Sequence, residues 1–165
     1  MENRLPGPPT GHPASVSEVR RTIHAAPDAV WEVLADPTTY PEWLVGAQVI
    51  RDVDSEFPKP GADFHHSVGA TEDVTIDDST TALEAERPHK LALKVRARPF
   101  FEGVVRFRLL PTKAGTELVL EEEPVGPLRF AAPLLRPLIV ARNAKSLERL
   151  RDLVEARSST PSAGG

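Results

Sequence analysis

Glu122 occupies a strand position at which an apolar residue would be expected. By alternation it shares the inner face of its strand with Leu118 and Leu120. A carboxylate on an inner face requires a partner, because burying an uncompensated charge is costly. The later helix offers two candidates, Arg142 and Asn143. We expect Glu122 to bond with one or both of them where the sheet meets the helix.

A contact between Glu122 and the helix has two possible roles. It fixes the register of the helix against the sheet, or it helps to recognise a ligand. The sequence supports the structural role at least as well as the role in ligand recognition. A Glu122→Gln variant that stays stable but loses ligand binding would favour recognition.

The adjacent pair His65-His66 suggests a metal site at first sight. Neighbouring residues of a strand point to opposite faces, so the two imidazoles cannot easily bind one ion, and we predict no metal site. With Phe64 facing inward, His66 is expected to face the interior and His65 the solvent. A hydrogen-bonded structural histidine is favoured over a proton-transfer residue.

Other catalytic patterns are missing from the sequence. There is no Cys, no G-x-S-x-G, and no glycine-rich phosphate-binding motif, so hydrolase and nucleotide-binding functions have little support and no cofactor is implied. Two acidic runs resemble paired carboxylates, but strand alternation separates neighbours. We therefore place Glu121, Glu123 and one residue of Asp77-Asp78 on a solvated face.

The net charge of -4 argues against nucleic acid and anionic membrane surfaces as partners. A basic outer stripe is expected to form cross-strand ion pairs with acidic neighbours. The stripe is Lys94, Arg96, Arg106 and Arg108, and the expected neighbours are Glu84, Glu117 and Glu121.

These side chains must be positioned by one domain, which we place at residues 15–157. Residues 1–14 and 158–165 are rich in Pro, Gly and Ser, and we expect them to be disordered tails. A strand over residues 16–24 precedes Pro27, which starts a short helix that ends at Asp36-Pro37. A second short helical segment follows over residues 38–44.

Turn residues divide residues 48–124 into about six strands. The turns are expected between Asp54 and Phe64, at Gly69 with Glu72-Asp73, at Arg87–His89, at Pro99–Gly103 and at Pro111–Gly115. Short connections between alternating segments are typical of an antiparallel meander. The chain ends in a predicted helix over residues 133–157, whose apolar stripe includes Leu135, Ile139 and Leu147 and must pack on the sheet.

Sequence motifs at both ends of the domain resemble the START-like superfamily, specifically its SRPBCC branch of polyketide cyclases, dehydrases and lipid-transport proteins. The resemblance rests on the segments at 23–31 (IHAAPDAVW) and 34–43 (LADPTTYPEW), on Arg98-Pro99 and Gly115-Thr116, and on Arg142-Asn143 before Leu147. It covers nearly all of the predicted domain. It implies an α+β helix-grip fold, in which a curved antiparallel sheet of about seven strands wraps around the long C-terminal helix, with two short helices after the first strand.

The resemblance also implies an internal cavity for a small hydrophobic molecule such as a lipid, a polyketide or an aromatic metabolite. One alternative is a polyketide cyclase, aromatase or dehydratase in which His66, Glu122 or Tyr40 transfers protons; another is an interaction module with a vestigial pocket. Tyr40 and Trp43 are candidates for the pocket mouth, and residues 127–137 are a candidate lid or a packed approach to the helix. The predicted ligand-binding residues are Tyr40, Trp43, His66, Phe107, Leu120, Glu122, Leu135, Ile139, Arg142 and Asn143.

The sequence has no apolar segment of the roughly 18 residues that a membrane span requires, and its N-terminus has no apolar core typical of a signal peptide. We therefore expect no membrane span and a cytoplasmic location.

Overall fold

One antiparallel sheet forms the framework of the molecule. The computed structural model describes residues 16–47, 49–68, 76–97 and 101–160. The sheet order is β1-β7-β6-β5-β4-β3-β2, and every neighbouring pair is antiparallel. The strands are β1 Ser17–Ile23, β2 Val49–Arg51, β3 Asp63–Val68, β4 Ile76–Glu86, β5 Lys90–Ala97, β6 Phe101–Thr112 and β7 Gly115–Val125.

The helices are two short ones after β1 and one long one at the end. Helix α1 spans Pro27–Leu34 and α2 spans Tyr40–Trp43, with a 3-10 turn at Pro37–Thr39 between them. A second 3-10 turn, Pro127–Ala131, leads into α3, Ala132–Ser159. The α+β helix-grip prediction is thereby confirmed. Helix α3 begins one residue before the predicted start and ends two residues after the predicted end.

Local sequence accounts for the break between α1 and α2. Pro27 occupies the first turn of α1, where the N–H that it lacks would have no partner within the helix. The negative charge of Asp28 interacts favourably with the positive end of the helix dipole. Asp36 Oδ1 accepts hydrogen bonds from the Thr38 backbone N–H at 3.0 Å and the Thr38 hydroxyl at 2.6 Å. This side-chain cap starts the 3-10 turn and redirects the chain toward α2.

The inner face of the sheet follows the predicted alternation. Leu91 and Leu93 of β5, Phe107 of β6, and Leu118 and Leu120 of β7 are all buried. Helix α3 packs over β1 at the edge of the sheet, and its buried residues Leu147, Leu150 and Val154 belong to the same core cluster as these side chains. The core therefore lies between the concave side of the sheet and the helix.

The basic residues of the outer face form cross-strand ion pairs, as predicted. Arg106 contacts Glu123 at 3.0 Å, and Arg108 contacts Glu121 at 2.9 Å. Lys94 and Arg96 share Glu102, at 2.7 and 3.3 Å. Of the other expected partners, Glu117 pairs with Arg20 and Glu84 with Lys90. Glu102 and Glu123 are partners that sequence did not identify, because they depend on strand register.

Strand β6 is longer than predicted at its start. Phe101–Gly103 was assigned to a turn, yet Glu102 pairs with Arg96 on one side and Val125 on the other. The extra pairing is possible because β5 and β7 both extend to this end of the sheet. The predicted tail at residues 1–14, the turn at Gly69 and Glu72-Asp73, and Arg98-Pro99 lie outside the described residues.

Among the helices that the structure describes, none combines the length and apolar character needed to cross a bilayer.

Candidate functional site

A cavity of about 330 Å³ lies between the concave face of the sheet and one turn of α3. This volume is at the lower end of the range typical of small-molecule sites, about 300–1,000 Å³. Its lining residues come from the segment after α1, six strands and α3. They are Tyr40, Trp43, Leu44, Val45, Gly46, Ala47, Ile50, Phe64, His66, Thr80, Leu93, Val95, Val105, Phe107, Leu120, Glu122, Arg142 and Asn143.

The walls of the cavity are mainly apolar. Leu93 and Val95 project from β5, and Val105 and Phe107 project from β6, because alternate residues of a strand share a face. Such a wall favours a ligand by removing apolar surface from water, at about 25 cal/mol per Å².

Glu122, Arg142 and Asn143 form a polar cluster at one end of the cavity. Glu122 is 1% exposed, and its Oε2 accepts hydrogen bonds from Arg142 Nη2 at 2.5 Å and from Asn143 Nδ2 at 2.6 Å. Arg142 Nε and Nη2 also donate to Asn143 Oδ1, at 3.3 and 3.2 Å. The guanidinium thus orients the amide that binds the carboxylate. Glu122 was predicted to bond with one or both of these helix residues, and it bonds with both.

The two oxygens of Glu122 differ in their surroundings. Within the part of the chain that the structure describes, the buried Oε1 has no hydrogen-bond partner. A buried carboxylate oxygen without a donor is costly. Oε1 is therefore a polar atom suited to a donor on a ligand.

His66 is a second polar residue of the lining. It is buried on β3 while His65 is exposed, as the alternation predicted. Burial, with a smaller contribution from the charge of His65, lowers the pKa of His66 below its usual value of 6.5. Its Nδ1 has no hydrogen-bond partner among the described residues, so the expected structural hydrogen bond at this atom is not found. Asp78, also buried, is its cross-strand neighbour on β4.

In residues 16–47, 49–68, 76–97 and 101–160, no group of three or more His, Asp or Glu side chains is arranged to hold a metal ion.

Tyr40 and Trp43 form an inner wall of the cavity rather than an exposed mouth. They are 3% and 1% exposed, and each packs edge-to-face on another aromatic ring, Tyr40 on Phe64 at 5.3 Å and Trp43 on Phe107 at 6.3 Å between centroids. The Tyr40 hydroxyl donates to the Leu34 carbonyl at 2.7 Å. Burial, with a smaller contribution from Asp36, raises the pKa of Tyr40 far above its usual value. The hydroxyl is therefore committed to the fold and unsuited to proton transfer.

The lining residues that keep solvent exposure identify the entrance. Gly46 is exposed, and Val45, Val95 and Arg142 are partly exposed. The Val45 backbone N–H donates to Ser146 Oγ at 3.1 Å, which holds the loop after α2 against α3. The entrance therefore lies at this loop, where Gly46 is exposed, beside the helix turn that carries Arg142.

Two predicted site residues lie outside the cavity lining, Leu135 and Ile139. Ile139 is buried one turn before Asn143, and Leu135 is partly exposed two turns before it. Helix α3 packs mainly over β1 at the edge of the sheet, so only the turn with Arg142 and Asn143 reaches the cavity. The other predicted residues all line it. Their role in ligand binding stays a prediction.

The segment at residues 127–137 does not close over the cavity as a packed lid. Phe130 is 78% exposed and Leu134 is 84% exposed. Neither residue is part of the lining.

Some lining residues were absent from the sequence-based set although a signal existed. Phe64, Leu93, Val95 and Val105 follow the same alternation that identified His66 and Phe107. The loop at residues 44–47 has no periodicity from which its position could be predicted.

Comparison with known proteins agrees with this architecture. Residues 14–155 match the family model described as polyketide cyclase / dehydrase and lipid transport. None of the curated proteins compared with the chain matches its sequence.

Several solved structures share the fold at low sequence identity. Protein NE0264 from Nitrosomonas europaea superposes with a TM-score of 0.72 at 20% identity, over 90% of this chain and 99% of that one. The ZhuI aromatase/cyclase from Streptomyces sp. R1128 gives 0.68 at 20% identity, over 91% and 98% of the two chains. The di-domain aromatase/cyclase StfQ from the steffimycin biosynthetic pathway gives 0.70 at 15% identity, over 88% of this chain and 52% of that one.

Proposed function

This chain belongs to the polyketide cyclase / dehydrase and lipid transport family, and we propose that it reversibly binds a small, largely apolar molecule in its internal cavity. The observation that carries the proposal is the combination of an apolar cavity of about 330 Å³ with a buried polar cluster at one end. Apolar walls supply affinity, and a few fixed polar groups supply orientation.

Native mass spectrometry of the protein purified from its own organism tests this function. We expect a small molecule to co-purify and to dissociate on unfolding. A protein that carries no such molecule, and that binds no apolar probe when challenged, would contradict the proposal.

A matched pair of variants on neighbouring strands locates the binding. Val95→Trp fills the cavity from β5, whereas Val104→Trp places the same ring on the outer face of β6, opposite Lys94. We expect only Val95→Trp to abolish binding while both proteins remain folded. Equal loss in both variants would place the ligand elsewhere.

Catalysis of polyketide cyclisation or dehydration is a second candidate function. It is supported by the family and by His66, whose lowered pKa favours a neutral imidazole in an apolar cavity, where it would accept a proton from a bound polyketone. Incubation with a linear polyketone would then give a product lighter by one water, and His66→Gln would abolish this turnover but not ligand binding. Binding without turnover would leave the carrier function as the better account.

A further inference from the structure

The polar cluster in the cavity leaves one buried acceptor, Glu122 Oε1, without a partner among the described residues. Glu122 Oε2 is occupied by Arg142 and Asn143, while Oε1 is buried and has no partner within the described residues. The positive charge of Arg142 is compensated by the ion pair with Glu122, at 2.5 Å. At Oε1, the cluster therefore favours a ligand group that donates a hydrogen bond.

We propose that the ligand is a neutral, largely apolar molecule bearing a hydroxyl group, whose hydroxyl donates a hydrogen bond to Glu122 Oε1. This inference rests on the proposed function, because it specifies the class of molecule that the cavity binds. An ether or ketone oxygen at this position would face the lone pairs of Glu122, and a ligand carboxylate would face a second negative charge. Both chemistries are thereby disfavoured.

The opposite wall points to a second polar contact. His66 lies on β3, and β4, β5 and β6 separate it from Glu122 on β7. Its buried Nδ1 has no partner in the part of the chain described. Between these two polar positions the lining is mainly apolar, from Leu93, Val95, Val105 and Phe107, with Thr80 on β4 as a polar neighbour. A ligand with an apolar body and polar substituents at opposite ends satisfies both atoms.

Three probes with the same ring system and different substituents test the inference. They are 2-naphthol, which donates a hydrogen bond, 2-methoxynaphthalene, which only accepts one, and 2-methylnaphthalene, which does neither. Because a hydrogen bond to a charged group is among the stronger ones, we expect 2-naphthol to bind about tenfold to a hundredfold more tightly than the other two in equilibrium dialysis.

The Glu122→Gln variant sharpens the test. The amide oxygen would take the place of Oε2 between Arg142 and Asn143, so the amide N–H₂ would face the cavity as a donor. The preference for 2-naphthol should then disappear, and 2-methoxynaphthalene should bind at least as well. Thr22→Val, a nearly isosteric change at an exposed position of β1 outside the lining, is the control and should keep the wild-type preference.

The outcomes separate this inference from the proposed function. Binding of all three probes with equal affinity would overturn the donor selectivity and leave a cavity for apolar molecules in place. Failure of all three to bind would count against both. If Glu122→Gln does not fold, the wild-type order of the three affinities still decides the question.

A second observation, independent of the cavity, concerns the exposed side of the start of α3. Phe130, Leu134 and Leu138 are 78%, 84% and 70% exposed, and their spacing of four residues places them along one side of the chain. The sequence from Pro124 to Leu147 contains no Asp or Glu. Its basic residues are Arg129, Arg136, Arg142 and Lys145. Arg142 and Lys145 are paired with Glu122 and Glu148. Arg129 and Arg136 are therefore the cations that flank this apolar face on a chain of negative net charge.

We infer that this face, defined by Phe130, Leu134 and Leu138, docks on an anionic lipid surface. Its exposed flanking cations Arg129 and Arg136 complement lipid phosphates, and protruding apolar side chains on a convex helix fit a fluid layer. A second copy of this chain fits less well, because face-to-face pairing would bring the same cations together. This proposal differs from the expectation from net charge alone because it rests on how the charge is distributed.

The position of this apolar face adds a functional link. Leu138 lies one helical turn before Arg142, which lines the cavity entrance. Docking would bring the entrance near the lipid layer.

Sedimentation with vesicles tests the docking. We expect the protein to bind vesicles of equal phosphatidylcholine and phosphatidylglycerol, and to bind phosphatidylcholine vesicles at least tenfold more weakly. Phe130→Ser with Leu134→Ser should abolish binding. Leu110→Ser, a change at an exposed leucine near the β6–β7 hairpin, should not.

Two results would overturn the docking proposal. One is the absence of vesicle binding by the wild-type protein. The other is a dimer in light scattering that becomes monomeric in the Phe130→Ser, Leu134→Ser variant, which would identify the face as an interface between copies of this chain.

Discussion

The side-chain amide of Asn143 donates a 2.6 Å hydrogen bond to Glu122 Oε2, and this contact joins the middle of α3 to β7. Both residues are buried, at 2% and 1% exposure. The bond therefore serves the packing of helix on sheet as well as the polar cluster of the cavity.

Replacing Asn143 by Leu should destabilise the protein. The change removes a donor from a buried carboxylate, and leaving such a group poorly satisfied costs about 1–3 kcal/mol. Urea denaturation should show a fall of this size in the free energy of unfolding. Lys145→Leu, at an exposed position on the same helix, should change it by less than about 0.5 kcal/mol. Equal effects would mean that the buried bond contributes little.

Tyr40→Phe should separate stability from binding. The Tyr40 hydroxyl bonds to the Leu34 carbonyl, so its removal should lower the free energy of unfolding by about 1–2 kcal/mol. The aromatic ring still lines the cavity, and probe affinity should change by less than about twofold. A large loss of affinity with unchanged stability would show that the hydroxyl serves the ligand.

Stability should decrease as the pH falls below neutral, in part because of His66. Burial lowers the pKa of His66 in the folded state, so the unfolded chain, with a pKa near 6.5, takes up the proton first. The contribution of His66 is fully present above pH 6.5 and is lost as the pH falls through 6.5 toward the folded-state pKa. Thermal melts at pH 7.5 and 5.5 should show a larger drop in Tm for the wild type than for His66→Gln. Equal decreases in Tm for the two proteins would show that His66 does not contribute to the pH dependence of stability.

Gly115→Ala should be far more damaging than Gly61→Ala. Both glycines have positive φ, +132° and +92°, so either substitution strains the backbone by about 1–3 kcal/mol. A Cβ at Gly115 would also lie 2.3 Å from the Ile23 carbonyl oxygen, whereas one at Gly61 meets nothing within 4 Å. The free energies of unfolding of the two variants check this difference. Similar values would mean that the backbone near Ile23 moves away from the added Cβ at little cost in free energy.

Local patterns in the sequence were sufficient for the framework of the fold. The alternation at Leu91 and Leu93, and at Leu118 and Leu120, identified the inner face because each pattern is complete within a single strand. The same reasoning placed Glu122 inward and predicted its partners on the helix. Pro27 and Asp36 likewise identified the limits of α1, since capping acts over one turn.

The tertiary structure decided what depends on the placement of one element against another. Ile139 and Asn143 belong to one helical stripe, yet only Asn143 reaches the cavity, because α3 packs over β1. The pairing of Arg106 with Glu123 depends on strand register, and the loop at residues 44–47 enters the lining without any periodic signal. The sequence determined which faces are apolar, because that property is local. Only the fold determined which residues of those faces line the cavity, because helix crossing and sheet curvature arise from the packing of the whole chain.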